Sequence, residues 1–222
     1  MKASWLLRGL YALAALVTLG VLAFAIFQPI KVLPRITLAP GLALVDQAGR
    51  PLNNEDLRGQ IVLYSFTFAE CVDPCLKMNG VLRELQHRLP EVNTSGAPVR
   101  LVTISVDPAR DTPEALADLA VTSGADPDVW RFATGDARRL KSAVGAGFQL
   151  FYGPEPDGTL KVDPLFALVD GWGILRAEYR TAAPAVDRQL RDIGLLAEEA
   201  RNSTGLARYA YEAAHLFLCY PR

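Results

Sequence analysis

Apolar and polar residues alternate in blocks that predict a sheet covered by helices. Two compact apolar runs, 61–68 and 99–106, have the length and composition of buried strands. Between them, apolar residues recur at helical spacing from Leu76 to Leu89; Pro74 suits the first turn of this helix, and Pro90 follows where the pattern stops. Because a helix with one apolar face must bury that face against another layer of secondary structure, these blocks indicate a layered α/β domain.

The same alternation continues downstream. Thr112 is a suitable N-cap, Pro113 suits the first turn, and Gly124 can end that helix in a left-handed conformation. The stretch 43–60 is predicted to contain a short strand, a turn at 49–50 and a polar loop that ends at 59. The remaining predicted elements are a strand at 129–135, a helix at 136–148, two strands within 164–180 joined by a turn at 170–173, a helix at 183–201 and a short helix at 205–218. This order predicts a central mixed sheet flanked by helices.

The N-terminus carries 19 residues without a charge, 9–27. At about 1.5 Å per residue, a helix of this length nearly spans a hydrocarbon core of about 30 Å. We favour an N-terminal transmembrane helix, because the run is long for a signal peptide; cleavage after Ala25 is the alternative. Either interpretation exports the rest of the chain to the periplasmic or extracytoplasmic side, where disulfides persist.

These observations divide the chain into four predicted parts. They are a membrane anchor or signal segment at 1–30, a proline-containing linker at 31–37, an α/β domain at 38–200 and a helical C-terminal tail at 201–222. We expect a single-pass protein of the cell membrane.

Charge and composition exclude several classes of function. The 222 residues include 23 Lys and Arg against 24 Asp and Glu, so no basic surplus indicates nucleic-acid binding. Three cysteines are too few for a disulfide-stapled miniprotein, and two histidines do not add up to a convincing structural zinc site.

The candidate chemistry lies in Cys71 and Cys75, where the first buried strand passes into a helix. A helix N-terminus stabilises a thiolate, and two residues at this spacing lie about 6 Å apart, within reach of a disulfide. Three alternatives remain open: a structural disulfide, two unreactive core thiols, or a functional dithiol that acts as a redox pair or binds a soft metal such as Cu(I). The position at a helix start favours the functional dithiol.

Two strings resemble the Sco/SenC family of copper chaperones. "SFTFAECVDPCLKMN" resembles the family's aromatic strand and C-x-x-x-C site, and "SVDPARDTPE" resembles its most characteristic string. "WRFATGD", "AVGAGFQLFY" and "PLFALVDGWGILRAEYR" fit the later segments. The similarity covers about residues 38–200.

This resemblance implies a thioredoxin-like fold on a membrane anchor. It also implies that Cys71 and Cys75 bind copper, as Cu(I) or Cu(II), together with a distant histidine. Family members deliver copper to the binuclear site of cytochrome c oxidase subunit II, or reduce the cysteines of that site. Subunit II and a thioredoxin-like reductant are therefore the expected partners.

The chain departs from the family at the third copper ligand. The position that carries the histidine falls on Val162, which cannot bind a metal, and the neighbouring Asp163 is a poor ligand for Cu(I). Leu76 also stands where family members often have proline. Only Cys71 and Cys75 are therefore carried over as site residues.

Other residues are weaker candidates. His87 reads as a surface residue, Met78 as core filling, and Asp107 with Asp111 as residues that shape a loop near the thiols. His215 and Cys219 form H-x-x-x-C in the tail, which reads as a helix end unless the tail folds back to supply a ligand.

Three functional hypotheses follow. The first is a membrane-anchored copper chaperone that assists assembly of the oxidase copper site. The second is a metal-independent thiol–disulfide oxidoreductase that acts on the oxidase cysteines or on other exported proteins, which the missing histidine favours. The third is a scaffold protein whose cysteine pair has lost both roles.

Overall fold

The computed structural model describes residues 2–27, 30–156 and 159–217. The helices are α1 (Lys2–Phe27), α2 (Cys75–Arg88), α3 (Pro113–Ser123), α4 (Ala137–Leu140), α5 (Val186–Arg201) and α6 (Ala207–Phe217). The strands are β1 (Thr37–Leu38), β2 (Ala43–Asp46), β3 (Pro51–Asn53), β4 (Ile61–Thr67), β5 (Val99–Ser105), β6 (Trp130–Gly135), β7 (Tyr152–Pro154), β8 (Leu160–Val162), β9 (Phe166–Val169) and β10 (Ile174–Tyr179).

Eight strands form a mixed sheet in the order β1-β10-β9-β4-β5-β6-β2-β3. The neighbouring pairs β4–β5 and β5–β6 are parallel, and the other pairs are antiparallel. The predicted α/β architecture with a mixed sheet is thus confirmed. The hairpin of β7 and β8 lies outside this sheet as a separate two-stranded unit.

Strand β4 is buried along all seven of its residues. Tyr64 and Phe66 pack on one face, where both rings contact the ring of Phe148. On the other face, Leu63 belongs to a second core cluster that also contains Leu82 of α2. Burial on both faces explains why the sequence of this strand is a continuous apolar run instead of an alternating one.

The predicted ends of α3 are confirmed. The side chain of Thr112 accepts a hydrogen bond from the Ala115 N–H at 3.4 Å, and Pro113 occupies the first turn. Gly124 closes the helix at φ 72°, a conformation that costs glycine little because it has no Cβ.

The predicted helix over 136–148 takes a different form. Only α4 is α-helical, and Lys141–Gly147 continues as π-helical turns. Gly147 packs against Pro40 so closely that a Cβ atom would overlap the proline ring. The glycines of this segment therefore weaken the α-helix and allow a close approach to the chain before β2.

The apolar N-terminal run forms the helix α1, whose large apolar side chains are mostly exposed. Within the described residues, no helix of the protein combines the length and the apolarity that crossing a membrane requires. The transmembrane helix expected in residues 1–30 is therefore not supported by the structure.

A buried ion cluster lies where β4 begins. Arg176 of β10 is 1 % exposed and donates to the carboxylates of Asp170 and Glu199, at 2.7 Å each. It also donates to the carbonyl oxygens of Leu33 at 2.7 Å and Pro34 at 3.1 Å. The guanidinium thereby ties β9, α5 and the segment before β1 together.

Helix α6 covers this cluster from outside. Its His215 places Nε2 2.9 Å from the carboxylate of Glu199, and its Tyr211 and Ala214 pack on Val32. Burial alone would raise the pKa of Glu199, but the hydrogen bonds with His215 and Arg176 outweigh it and lower that pKa to about 2. The Glu199 carboxylate is therefore firmly held in its ionised form.

Candidate functional site

The two cysteines lie at the other end of β4. The strand ends at Thr67, a loop follows, and α2 begins at Cys75. Cys71 and Cys75 form a disulfide with their Cα atoms 5.7 Å apart, close to the predicted 6 Å. Of the two, only Cys75 belongs to the helix. Cys71 lies in the preceding loop, where its N–H donates to the Phe68 carbonyl at 3.0 Å. The two thiols therefore do not share one helical face.

The two sulfur-bearing residues differ in exposure. Cys75 is 2 % exposed and belongs to the core cluster that covers Tyr64 and Phe66. Cys71 is half-buried and lines an open cleft. A partner that approaches the disulfide through this cleft therefore reaches Cys71 first.

The loop that carries Cys71 is fastened to the loop after β5. The Val106 N–H donates to the Thr67 carbonyl, and the Ala69 N–H donates to the carboxylate of Asp111, each at 2.9 Å. Arg110 forms an ion pair with Glu70 at 2.7 Å. The string "SVDPARD" thus lies beside the thiols, as the resemblance implied.

Asp111 is the buried centre of this connection. It is 1 % exposed, and it accepts a short hydrogen bond from the Ser105 hydroxyl besides the one from Ala69. Burial raises the pKa of Asp111, and the carboxylates of Asp107 and Glu70 raise it further against the effect of its hydrogen bonds. The side chain shapes the cysteine loop, as its sequence position predicted.

The cleft beside Cys71 has a volume of about 940 Å³. One wall is the β7–β8 hairpin, which contributes Leu160, Lys161 and Val162. The opposite wall is formed by the cysteine loop, including Phe68 and Cys71. Sequence reasoning missed this hairpin, although the Asp–Gly pair at 157–158 is a turn signal between its two short strands.

Comparison with known proteins gives the family. The sequence pattern of the SCO1/SenC family matches residues 35–192, which is more than half of the chain. The chain belongs to the SCO1/SenC family. A protein of Stutzerimonas stutzeri that is named as copper-binding is 33 % identical over 151 residues, which cover 68 % of this chain and 73 % of that protein. The SCO1 protein homolog of Bacillus subtilis is 33 % identical over 90 residues, 40 % of this chain and 45 % of that protein.

Solved SCO1/SenC structures share the fold. A SCO1/SenC family lipoprotein from Bacillus anthracis superposes with a TM-score of 0.66 at 24 % identity, over 72 % of this chain and 95 % of that one. BsSco, described as a member of the Sco family of cytochrome c oxidase assembly proteins, gives 0.64 at 24 % identity, over 74 % and 96 %. Copper-bound yeast Sco1 gives 0.59 at 23 % identity, over 79 % and 99 %. These relatives confirm the thioredoxin-like fold.

The structure brings Val162 to the cleft that Cys71 lines. Val162 is 2 % exposed and pairs with Tyr152 across the hairpin. An apolar side chain therefore lies on the wall where the SCO1/SenC resemblance leads one to expect a histidine. Among the described residues, no group of three or more His, Cys, Asp and Glu side chains is arranged to hold a metal ion. A three-ligand copper site does not fit these residues.

The remaining candidates are placed elsewhere. His87 is exposed near the end of α2, and Met78 is 2 % exposed in the core on the opposite face of the sheet. His215 contacts Glu199 in the cluster beside the start of β4. The start of this strand lies about 20 Å from its other end, where the cysteines are. Cys219 lies outside the described residues. The readings of His87 as a surface residue and of Met78 as core filling are thus confirmed.

Proposed function

We propose that this SCO1/SenC protein assists assembly of the copper site of cytochrome c oxidase by carrying Cu(I), as cargo, on the thiolates of Cys71 and Cys75. The cysteine pair at the mouth of an open cleft carries this proposal. The copper-binding name of the Stutzerimonas stutzeri relative and the oxidase-assembly description of BsSco support it.

Two thiolates suit Cu(I) as a cargo. Soft sulfur ligands select Cu(I) over harder cations, and two of them are sufficient to bind it. The disulfide must first be reduced, because neither sulfur of a disulfide is a thiolate. The half-buried position of Cys71 leaves one side of the pair open to an acceptor. An open side favours transfer of the ion over permanent storage.

The proposed acceptor is the copper site of oxidase subunit II, and the proposed reductant is a thioredoxin-like protein. Both need access to Cys71 through the cleft. The apolar side chains of Val72 and Leu76 flank the pair, and each is about two-thirds exposed (66 % and 65 %). These side chains offer a partner an apolar contact beside the reacting sulfur.

A Cu(I) titration tests the proposal. The full chain carrying Cys219→Ser, which removes the thiol outside the pair, is reduced and titrated with Cu(I) against a competing chelator. We expect one Cu(I) per chain. The matched variant that also carries Cys71→Ser and Cys75→Ser should not compete with the chelator. Equal binding by the two proteins would contradict the proposal.

A second candidate function is thiol–disulfide exchange without metal. Two observations favour it. Cys71 and Cys75 form a disulfide, which can be reduced and re-formed, and the apolar Val162 stands where the family's third copper ligand is expected. The half-buried Cys71, which lines the cleft, would attack or be attacked by the partner sulfur, and the buried Cys75 would resolve the mixed disulfide. The variant Cys75→Ser should then trap a partner on Cys71, and Cys71→Ser should trap none.

We further propose that the protein acts on the extracytoplasmic side, attached to a membrane. The disulfide supports an oxidising compartment, and the exposed apolar side chains of α1 support contact with lipid. Flotation of the full chain with lipid vesicles, compared with a chain that starts at residue 30, tests the attachment. Equal flotation of the two proteins would contradict it.

A further inference from the structure

The donor set around the cysteines suits one oxidation state of copper. We infer that the reduced pair holds Cu(I) but not Cu(II), and that Cu(II) is instead a substrate that the pair reduces. This inference rests on the proposed copper function and goes beyond it, because it gives the protein an activity of its own. The carrying observation is the buried Val162 on the cleft wall beside Cys71.

Cu(II) requires more than two sulfur ligands. Stable Cu(II)–thiolate sites in proteins combine a cysteine with imidazole nitrogens, and Cu(II) otherwise prefers a tetragonal set of nitrogen and oxygen donors. The cleft offers Val162, Phe68 and Val106 as apolar side chains near Cys71. An apolar wall cannot complete the coordination of Cu(II).

Every carboxylate that lines the described cleft already faces a cation. The pairs are Glu70 with Arg110 at 2.7 Å, Asp73 with Lys77 at 2.8 Å, Asp107 with Arg110 at 3.9 Å and Glu155 with Lys161 at 3.2 Å. Cu(II) would have to compete with a cation for each of these oxygens, and a carboxylate oxygen does not supply the imidazole nitrogen of a stable Cu(II)–thiolate site.

Neither histidine can replace it. His215 lies against Glu199 at the start of β4, about 20 Å from the cysteine end of that strand. His87 follows Cys75 by 12 residues in α2, which corresponds to about 18 Å along the helix axis. Both distances exceed any metal–ligand bond by several-fold.

The reaction is balanced between the dithiol and two copper ions. Each Cu(II) accepts one electron and becomes Cu(I), and the two thiols together give two electrons and two protons and become the disulfide. The product is the Cys71–Cys75 disulfide that this fold already accommodates. A thiol reductant of the same compartment would restore the dithiol for another round.

The test uses the full chain with Cys219→Ser, reduced, freed of reductant and kept without oxygen. Two equivalents of Cu(II) sulfate are added, the Cu(II) signal is followed by electron paramagnetic resonance, Cu(I) is captured by a chromogenic chelator, and free thiols are counted by alkylation and mass spectrometry. We expect the Cu(II) signal to disappear, with two Cu(I) formed per disulfide. The variant with Cys71→Ser and Cys75→Ser should keep the full Cu(II) signal.

The variant Val162→His restores an imidazole at the cleft wall. We expect it to retain a Cu(II) signal and to show a thiolate-to-copper charge-transfer band, whereas the volume control Val162→Ala should behave like the parent. A parent protein that keeps Cu(II) with such a band, or that leaves both its thiols and Cu(II) unchanged, would overturn the inference. Since the parent alone decides this, the test stands even if Val162→His does not fold. Cu(I) binding is measured in the separate titration against a chelator. A protein that does not bind Cu(I) is therefore distinguishable from one that does not reduce Cu(II).

Discussion

The two ends of β4 differ in how their reactive groups are held. At its start, Arg176 is buried and all its N–H groups face acceptors on Asp170, Glu199 and two backbone carbonyls. After its end, the Cys71–Cys75 disulfide borders an open cleft, and Cys71 is only half-buried. One end is a closed polar cluster and the other is open on one side.

This difference places the residues that stabilise the fold and the residues that react at opposite ends of the strand. A buried ion cluster is tolerated only when every charge has a partner, and removal of one partner leaves the others costly to keep. A thiol that must meet another protein or a metal ion cannot be enclosed in the same way. We therefore expect substitutions at the open end to cost less stability than those at the closed end, and the effects at the two ends to be separable.

The largest effect is expected from Arg176→Met at the closed end. The variant leaves the buried carboxylate of Asp170 without its ion-pair partner and removes from Glu199 its nearest cation, so the free energy of unfolding should fall by about 3–5 kcal/mol. Urea unfolding measures this loss. The reduction potential of the cysteine pair, determined on the folded fraction, should not move; a shift would show that the two ends are coupled.

The next effect is a pH dependence that arises from Glu199. Because its pKa is lowered to about 2 from an ordinary value of 4.5, its stabilising contribution is present above pH 4.5 and is lost as the pH falls towards 2. Urea unfolding over this range should show a steeper decline for the parent protein than for Glu199→Gln. The exposed Glu84→Gln serves as the control and should follow the parent. Parallel curves for parent and Glu199→Gln would contradict the assignment.

At the open end, Asp111→Ala should have a smaller effect on stability and a specific one on the thiols. Loss of the acceptor for Ala69 and Ser105 should cost about 1–3 kcal/mol, and it should shift the reduction potential of the pair because it releases the cysteine loop. Asp111→Asn keeps an acceptor and should restore most of the parent potential. The exposed Asp118→Ala should change neither quantity.

The raised pKa of Asp111 predicts that the stability difference between the parent protein and Asp111→Asn depends on pH. A carboxyl with a raised pKa stabilises the folded state most at pH values below its ordinary pKa, and the contribution is lost as the pH rises through the folded value. The stability advantage of the parent over Asp111→Asn should therefore be greatest in acid.

The smallest effect is expected from Arg35→Met. Arg35 pairs with Glu212 at 3.0 Å and with Glu199 at 3.5 Å, but its side chain is 43 % exposed. Water screens such pairs, so the variant should lose less than about 1 kcal/mol. A loss comparable to that of Arg176→Met would show that the closed cluster extends to its solvent-exposed rim.

The sequence predicted those elements whose signals are local. Strands β4 and β5 followed from continuous apolar runs, and both ends of α3 followed from Thr112 and Gly124. The turn between β9 and β10 lies at residues 170–173, where the Asp–Gly signal placed it. Each of these features is decided within a few residues of chain.

Features that depend on distant partners were not predicted. The two residues of β1 form a strand only because Thr37 and Leu38 lie opposite Leu175 and Ile174. Arg176 reads as an ordinary strand residue until Asp170, Glu199 and the chain before β1 enclose it. At the site, the cysteine pair followed from the sequence, but one wall of the cleft that Cys71 lines is a hairpin whose strands have three residues each.

The hydrogen bonds from Arg176 to the carbonyls of Leu33 and Pro34 also affect how a mechanical force passes from α1 into the domain. A pull exerted along the chain from α1 first meets the packing of Val32 on Tyr211 and Ala214, and then these two carbonyls, before it reaches β1. The load is then shared by β10, β9 and α5 through the guanidinium. The cysteine loop lies beyond the far end of β4, away from these contacts. A force applied by a partner at the cleft and a force applied through α1 would therefore act on different parts of the molecule.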